Sequence, residues 1–316
     1  MEPPNPPRPS KKKIFGKTLK YIFQGGSSSG ENRNEENQIP TIDFPPNVDE
    51  YEERALAPLS TRHISDSTMN LNDKLRFTVR CRMGMVHRWW HMMEERGPTF
   101  SNIREIIKST PFGHLVTMSR GNCDKHLLFA LVERWWPTTH TFHFPDVEIG
   151  FTPLDFTCLT GLSVGRGEVV PFDSRYDSGE FDVAEVFPTF FSDDRIARLK
   201  TKSGIKLQFF KDYFMDPTSI EWSDENGLEP LLIAPGGDEE IEYVYAFLLY
   251  LVGGSFFASA HNSIHMGWMA GLTDIQAIGK FDWGGAIMAH LYRCLDDFVM
   301  CGNELKQLTG FTWILQ

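Results

Sequence analysis

The run LVERWWPTTHTFHFPDVEIGFTPLDFTCLTGL, residues 131–162, decides the fold. Its period changes twice. Asp124 stands as an N-cap ahead of it, and Leu127, Leu128, Leu131, Val132 and Trp135 share one helical face. Pro137 stops that helix after about Trp136. Phe142 and Phe144 then alternate with His143, the period-2 pattern of a strand. Pro145-Asp146 is a turn signal, and Glu148–Phe151 reads as the returning strand. A two-stranded hairpin is marginal alone, so helices must cover its apolar face. Thr152, Pro153 and Asp155 then occupy the N-cap, N1 and N3 positions of a capping box. Leu154, Phe156 and Leu159 are expected inside, and Gly161 suits the left-handed C′ position.

Working outward, residues 75–95 carry Val79, Met83, Val86, Trp89, Trp90 and Met93 and predict a buried helix that ends before Gly97-Pro98. Ser101 is expected to cap a helix bearing Ile103, Ile106 and Ile107. Residues 203–215 form a short amphipathic segment, and 163–180 and 216–238 read as loops. Glu239–Val252 and Phe281–Val299 predict two further helices. The second places Met288, Leu291, Tyr292, Leu295, Phe298 and Val299 on one face, with Arg293, Asp296 and Asp297 off it. The expected fold is a mostly α-helical α+β domain, a multi-helix globular body with a small β-hairpin, over residues 71–316. A disordered tail, residues 1–70, precedes it. Residues 1–10 hold five prolines, and 24–53 are too polar to repay ordering entropy.

Charge divides the chain the same way. The 316 residues carry a net charge of −11. Residues 1–30 hold six basic side chains against one acid, leaving 25 basic and 41 acidic groups elsewhere, net −16. An acidic body binds nucleic acid poorly, because non-specific affinity comes from cations replacing counterions on phosphates. The basic residues Lys11, Lys12, Lys13, Lys17 and Lys20 cluster in segment 11–23, a pattern of nuclear-import type. The same segment spaces Ile14, Phe15, Leu19, Ile22 and Phe23 as an amphipathic helix would, for a membrane surface or a partner groove. An organelle transit peptide and an inert solvated tail also fit it. Tyr243–Thr273 contains no Asp, Glu, Lys or Arg, but its apolar part stops at Gly253-Gly254, short of a membrane span.

The chemistry-bearing residues are sparse. The five cysteines are widely spaced without a Cys-x-x-Cys pair, and read as reduced, buried thiols of a cytosolic or nuclear protein. None shows a local His–Asn context. His261 and His265 have ligand spacing but lack the Glu of a zinc-protease helix, and fall in a loop. His140 and His143 point to opposite sides of a strand. Gly161, Gly165 and Gly167 follow a helix rather than a strand and lack a phosphate-binding Lys. Trp89-Trp90 and Trp135-Trp136 read as core, and Asp193-Asp194, Glu239-Glu240 and Asp296-Asp297 as solvated faces. No catalytic, cofactor or metal residues are assigned.

Five collinear blocks carry a resemblance: residues 131–145, 152–164, GIKLQFFKDYF at 204–214, AFLLYLVGGSFF at 246–257, and FDWGGAIMAHLYRCLDDF at 281–298. Together they resemble the plant mobile domain, also called the aminotransferase-like plant mobile domain, over roughly residues 75–316. Val147, Ser163 and Gly165-Arg166 depart from the family's usual loop residues. GFTWILQ, 310–316, resembles the start of a helix that continues in the family. A C-terminally truncated copy is therefore expected, with Phe311, Trp313, Ile314 and Leu315 partly exposed. The resemblance implies a plant nuclear protein without enzymatic activity or cofactor. Its implied role is in transposon silencing, genome integrity and meristem maintenance. A phosphoprotein-phosphatase-like protein is the implied partner. A transposon-derived protein that binds or cleaves nucleic acid is the alternative. The "aminotransferase-like" label would require a Schiff-base lysine, and Lys125, Lys206, Lys211 and Lys280 all read as solvated.

Overall fold

The computed structural model describes residues 77–118, 124–178, 200–201, 204–215, 238–300 and 307–315. The expected tail with its five lysines, Asp193-Asp194 and most of the 216–238 loop lie outside the described residues. The chain enters as strand β1, Thr78–Val79, not as the start of a helix. Those two residues pair in parallel with Gln307 and Leu308, which form the last strand. Helix α1, Met83–Glu95, then buries Val86, Trp89, Trp90 and Met93, the i, i+3, i+4, i+7 set of one face. Helix α2, Ser101–Ser109, is entered through a 3₁₀ turn, Gly97–Phe100, so Ser101 does not cap it. Its Oγ donates instead to the Pro98 carbonyl at 2.8 Å. Helix α3 is Gly113–Thr117.

Helix α4, Lys125–Val132, begins as the sequence predicts: Asp124 accepts from the backbone N–H groups of His126 and Leu127. It ends earlier than expected. Trp135–Trp136 leaves the helix as strand β2 and pairs with β3, Thr141–Phe144, which pairs with β4, Val147–Gly150. The hairpin thus gains a third strand. The physical reason is that Trp135 opposite Phe142 makes an aromatic cross-strand pair, which outweighs one more helical turn. The end of the helical register leaves Leu127 half-exposed.

Helix α5, Pro153–Thr160, has the capping box in full, and Gly161 ends it at φ 74°. Only part of its expected inner face is inside. Phe156 is fully buried, but Leu154 is 70 % exposed and Leu159 is 49 % exposed. Thr160 takes the second buried place, with its hydroxyl on the Phe156 carbonyl. Thr160 satisfies its own oxygen there, so the buried face holds one large residue, Phe156, and one small one.

A short helix α6, Arg175–Ser178, follows the loop. A second antiparallel sheet has β6, Gly204–Lys206, between β5, Lys200–Thr201, and β7, Ser263–Ile264. Helix α7, Leu207–Phe210, and a π-turn, Lys211–Met215, continue from β6. Helix α8, Asp238–Leu251, runs through the centre and extends into a π-turn, Val252–Phe256. It is buried nearly all round, as its unbroken apolar run requires. Glu240 on it is also buried, contrary to the solvated reading, and accepts from Asn102 Nδ2 at 2.6 Å. Helix α9, Trp283–Val299, is capped by Asp282, which accepts from Gly285 N–H. Strand β8, Gln307–Leu308, and a 3₁₀ turn, Thr312–Leu315, close the described chain. Phe311 is fully buried, edge-on to Phe256, against expectation; Trp313, Ile314 and Leu315 are partly buried. The fold class is as expected: mostly helical α+β.

Two apolar clusters organise these elements. The larger gathers α1, α2, α3, α8 and the Phe209–Phe210–Phe214 group. At its heart, Trp89 Nε1 donates to the Tyr243 hydroxyl at 2.6 Å, which donates to the Phe214 carbonyl at 2.9 Å. Burial pushes the Tyr243 pKa up, so the hydroxyl keeps its proton and this chain of donors is fixed. The smaller cluster joins Phe77, α4, the first sheet and the later turns of α9. Helix α9 serves both: Ile287 and Met288 face the first, Leu291, Leu295, Phe298 and Val299 the second. No described helix is long and apolar enough to cross a membrane.

A basic cleft as the candidate functional site

Three elements meet at an open cleft of about 640 Å³. The first is the start of α1. Arg82, Met85 and Arg88 lie at i, i+3 and i+6, so one stripe of the helix faces the opening. The second is β6 with α7 and the π-turn, which bring Lys206 and Lys211. The third is the approach to β7, with His261 and Asn262. Tyr250 of α8 forms the floor.

Local backbone chemistry explains why these elements come so close. Gly204 sits at φ 112°, and a Cβ there would lie 1.9 Å from the Ile264 carbonyl oxygen. Any larger residue would push β6 off β7 and open the wall. Gly253 lets the π-turn at the end of α8 press on the Ile264 side chain. The Arg82 N–H donates to the Gly254 carbonyl at 3.0 Å, which ties the start of α1 to that turn.

The cleft concentrates positive charge. Arg82, Arg88, Lys206 and Lys211 make no ion pair among the described residues, and no acidic side chain among them lines the cleft. Arg80 stands next to it, with its guanidinium on Gln307 Oε1 at 2.9 Å and on Asn262 Oδ1 at 2.8 Å. The first turn of α1 holds no acid and no side-chain cap, so the positive end of the helix dipole adds to the field. Burial pushes the Tyr250 hydroxyl up to about 12, with the nearby Arg82 charge pulling the other way. Such an arrangement of donors and fixed cations binds oxyanions.

The sequence reading missed this site. The net charge of −16 beyond residue 30 conceals it, because its cations come from α1 and from residues 206–211. Only the Arg82–Met85–Arg88 spacing was a usable signal. Lys206 and Lys211, read as solvated and unremarkable, are two of its four cations. Lys125 instead donates to the Phe77 carbonyl, and the Lys280 carbonyl accepts from the Glu168 N–H.

The other candidates have structural places. His261 and His265 are separated by β7, and only His261 faces the cleft. His265 Nδ1 pairs with Asp177 Oδ2 at 3.2 Å, and that hydrogen bond raises its pKa. His140 is not on a strand. It has φ 51°, stacks on Trp135, and meets Asp296 Oδ2 at 3.0 Å. Asp296 also accepts from Trp135 Nε1 at 2.7 Å, so it joins two elements rather than standing on a solvated face. Trp89, Trp90 and Trp135 are buried, as read. Gly167 lies against the backbone of residues 280–282, so a Cβ there would sit 2.5 Å from the Lys280 carbonyl oxygen; that glycine serves packing. Among the described residues no cluster of His, Cys, Asp and Glu is arranged to hold a metal.

Cysteine context differs from expectation twice. Cys158 is exposed, not buried. Cys294 is buried, and His290, one helical turn earlier, comes within 3.4 Å of its Sγ. That spacing was legible and passed over. The pair does not make a nucleophile: burial pushes the thiol up to about 11 and the imidazole down, so the proton stays on sulfur.

Comparison with known proteins agrees with the blocks read from sequence. The family model of the plant mobile domain matches residues 111–316. Protein MAIN-LIKE 2 of Arabidopsis thaliana is 29% identical over 193 residues, 60% of this chain and 26% of that protein. Protein MAINTENANCE OF MERISTEMS of the same plant is 27% identical over 238 residues, 73% of this chain and 43% of that protein. The Arabidopsis serine/threonine-protein phosphatase 7 long form homolog is 30% identical over 174 residues, 54% of this chain and 11% of that protein. The chain thus spans less than half the length of these relatives. No solved structure matches. The helical frame, the five collinear blocks and the match over residues 111–316 lead to one conclusion: the chain belongs to the plant mobile domain family.

Proposed function

We propose that the chain works in the nucleus as a non-catalytic interaction module, engaging a protein partner through its basic cleft in the service of transposon silencing, genome integrity and meristem maintenance. The observation that carries this reading is the cleft itself: four cations that make no ion pair among the described residues, gathered around one opening with Tyr250 at its floor. Such a lining suits recognition of a charged ligand. The family membership supports the biological setting, and Lys11, Lys12, Lys13, Lys17 and Lys20 support nuclear import. The relative named as a phosphatase carries a segment similar to this chain, which supports a partner of phosphoprotein-phosphatase type.

The test is purification of the tagged chain from plant nuclei, followed by mass spectrometry. A discrete protein partner is expected, reduced when Lys11–Lys13→Ala impairs import. Cytoplasmic retention of the intact chain, or recovery of no partner, refutes the reading.

The cleft cations and the +5 tail also favour a second reading, a transposon-derived protein that binds or cleaves nucleic acid. DNA binding by the full chain at two salt concentrations tests it. Loss of binding on replacing the five tail lysines with alanine would place the contact on the tail.

A further inference from the structure

The cleft's size and charge together narrow its ligand. About 640 Å³ falls in the range of small-ligand pockets and accommodates a few peptide residues. Specific nucleic-acid interfaces are broader, and use long tracks of cations to follow a backbone. Here the four lining cations gather at one opening. A short segment with its negative charge concentrated at one point matches that layout.

The donor chemistry narrows it further. Two guanidinium groups, Arg82 and Arg88, line the cleft, and Arg80 stands beside it. Guanidinium forks match phosphoryl oxygens in paired hydrogen bonds, which an ammonium cannot do. Lys206 and Lys211 add point charges. A single carboxylate would leave most of these cations without a counter-charge. A phosphoryl group carries roughly −1.5 to −2 at neutral pH and three acceptor oxygens, and fits the set better. Arg82 is partly buried and anchored through its N–H to Gly254, so part of the site is ordered before any ligand arrives.

We propose that the cleft docks a phosphorylated, acidic peptide segment of a partner protein, with the phosphoryl group met by Arg82 and Arg88 and the flanking acids by Lys206 and Lys211. This rests on the interaction reading above and names the chemistry its partner must carry.

The test uses the full chain in fluorescence anisotropy near pH 7 and 100 mM salt. The probes are a fluorescein-labelled acidic nonapeptide with one central phosphoserine, the same peptide with serine, and a labelled 12-nucleotide single-stranded DNA. Micromolar binding is expected for the phosphopeptide, at least tenfold weaker binding for the other two, and competition by inorganic phosphate only at millimolar concentration. The Arg88→Glu/Lys211→Glu variant, both positions being exposed, should lose at least tenfold while its melting temperature holds. Arg82→Lys keeps the charge and loses the fork, and should weaken the phosphopeptide several-fold while leaving the serine peptide unchanged. Alanine at the five tail lysines should leave phosphopeptide binding intact. Equal binding of the phosphorylated and plain peptides overturns the proposal. So does tighter binding of DNA, unchanged binding by the charge-reversed variant, or no binding. Any of these leaves the interaction reading to its own test by nuclear purification.

Discussion

Asp296 gives the sharpest test of how the two halves of the smaller core are joined. It lies beside Asp297 on α9, yet the two acids have opposite situations. Asp296 is 29% exposed at its side chain, accepts from the buried Trp135 indole at 2.7 Å and meets His140 at 3.0 Å. Asp297 is 73% exposed and meets Arg293 at 3.7 Å. Replacing Asp296 with alanine strands the Trp135 N–H, whose indole has no exposed surface. A hydrogen bond to a charged group is worth about 1.5–3 kcal/mol, and an orphaned buried donor costs about 1–3 kcal/mol. These are two accounts of the same loss, so Asp296→Ala should cost about 2–3 kcal/mol in all. For a domain of this size that lowers Tm by roughly 4–10 °C. Asp296→Asn keeps a neutral acceptor and should cost about 1 kcal/mol. Trp135→Phe removes the donor; combined with Asp296→Ala it should cost at least about 1 kcal/mol less than the two changes summed. Urea unfolding followed by circular dichroism measures all four proteins, with Asp297→Ala as the control that leaves the midpoint in place. If Asp296→Ala behaves like Asp297→Ala, or the double variant is additive, the bond does not carry the junction and the reasoning is wrong.

Three other expectations follow from single features. Leu154→Ser should leave stability within about 0.5 kcal/mol, and Phe156→Ala should cost about 3–5 kcal/mol, because only the second empties a buried space; equal costs in chemical denaturation would restore the original inward reading of both. The Asp177 hydrogen bond raises the His265 pKa, so its stabilisation is whole below about pH 6.5 and fades as pH climbs through the folded value. Unfolding free energy measured between pH 6 and 8.5 should therefore fall more steeply in the wild-type chain than in Asp177→Asn, and parallel slopes would contradict this. At pH 8, iodoacetamide should label the exposed Cys158 and spare Cys294, whose thiol is held up to about 11; peptide mass spectrometry showing equal labelling would mean that the helix end opens readily.

Local signals were legible wherever one residue type answers one backbone need. Asp124, the Thr152–Asp155 box and Gly161 each satisfy or end a helix by themselves, and each stands where the sequence placed it. The Trp pairs and the apolar faces of α1 and α9 were legible because large aromatic groups have few places outside a core. What escaped depends on residues far apart. Trp135 left its helix because Phe142 offered a better partner across a sheet. Leu154 and Leu159 followed apolar spacing, but the surface beneath α5 accommodates only Phe156 and Thr160. Val79 followed the helical period of α1, but Leu308 drew it into a strand. The cleft was invisible for the same reason: Arg82 and Arg88 become neighbours of Lys206 and Lys211 only after β6, β7 and α1 assemble.

The pairing of β1 with β8 also sets the order of events at the ribosome. Arg80 and Gln307 lie 227 positions apart, yet they share a hydrogen bond beside the cleft. At roughly 5–20 residues per second, synthesis leaves β1 without its partner strand for about 10–45 s. Through that interval Phe77 lacks the Phe298 ring that packs against it at 5.4 Å. Phe129 packs on one side of the Phe77 ring at 5.9 Å, so the nascent chain leaves open to chaperones only the side that Phe298 closes, until α9 and β8 emerge. Arg80 meets Gln307 at the same moment, so the cleft takes this form only when β8 docks.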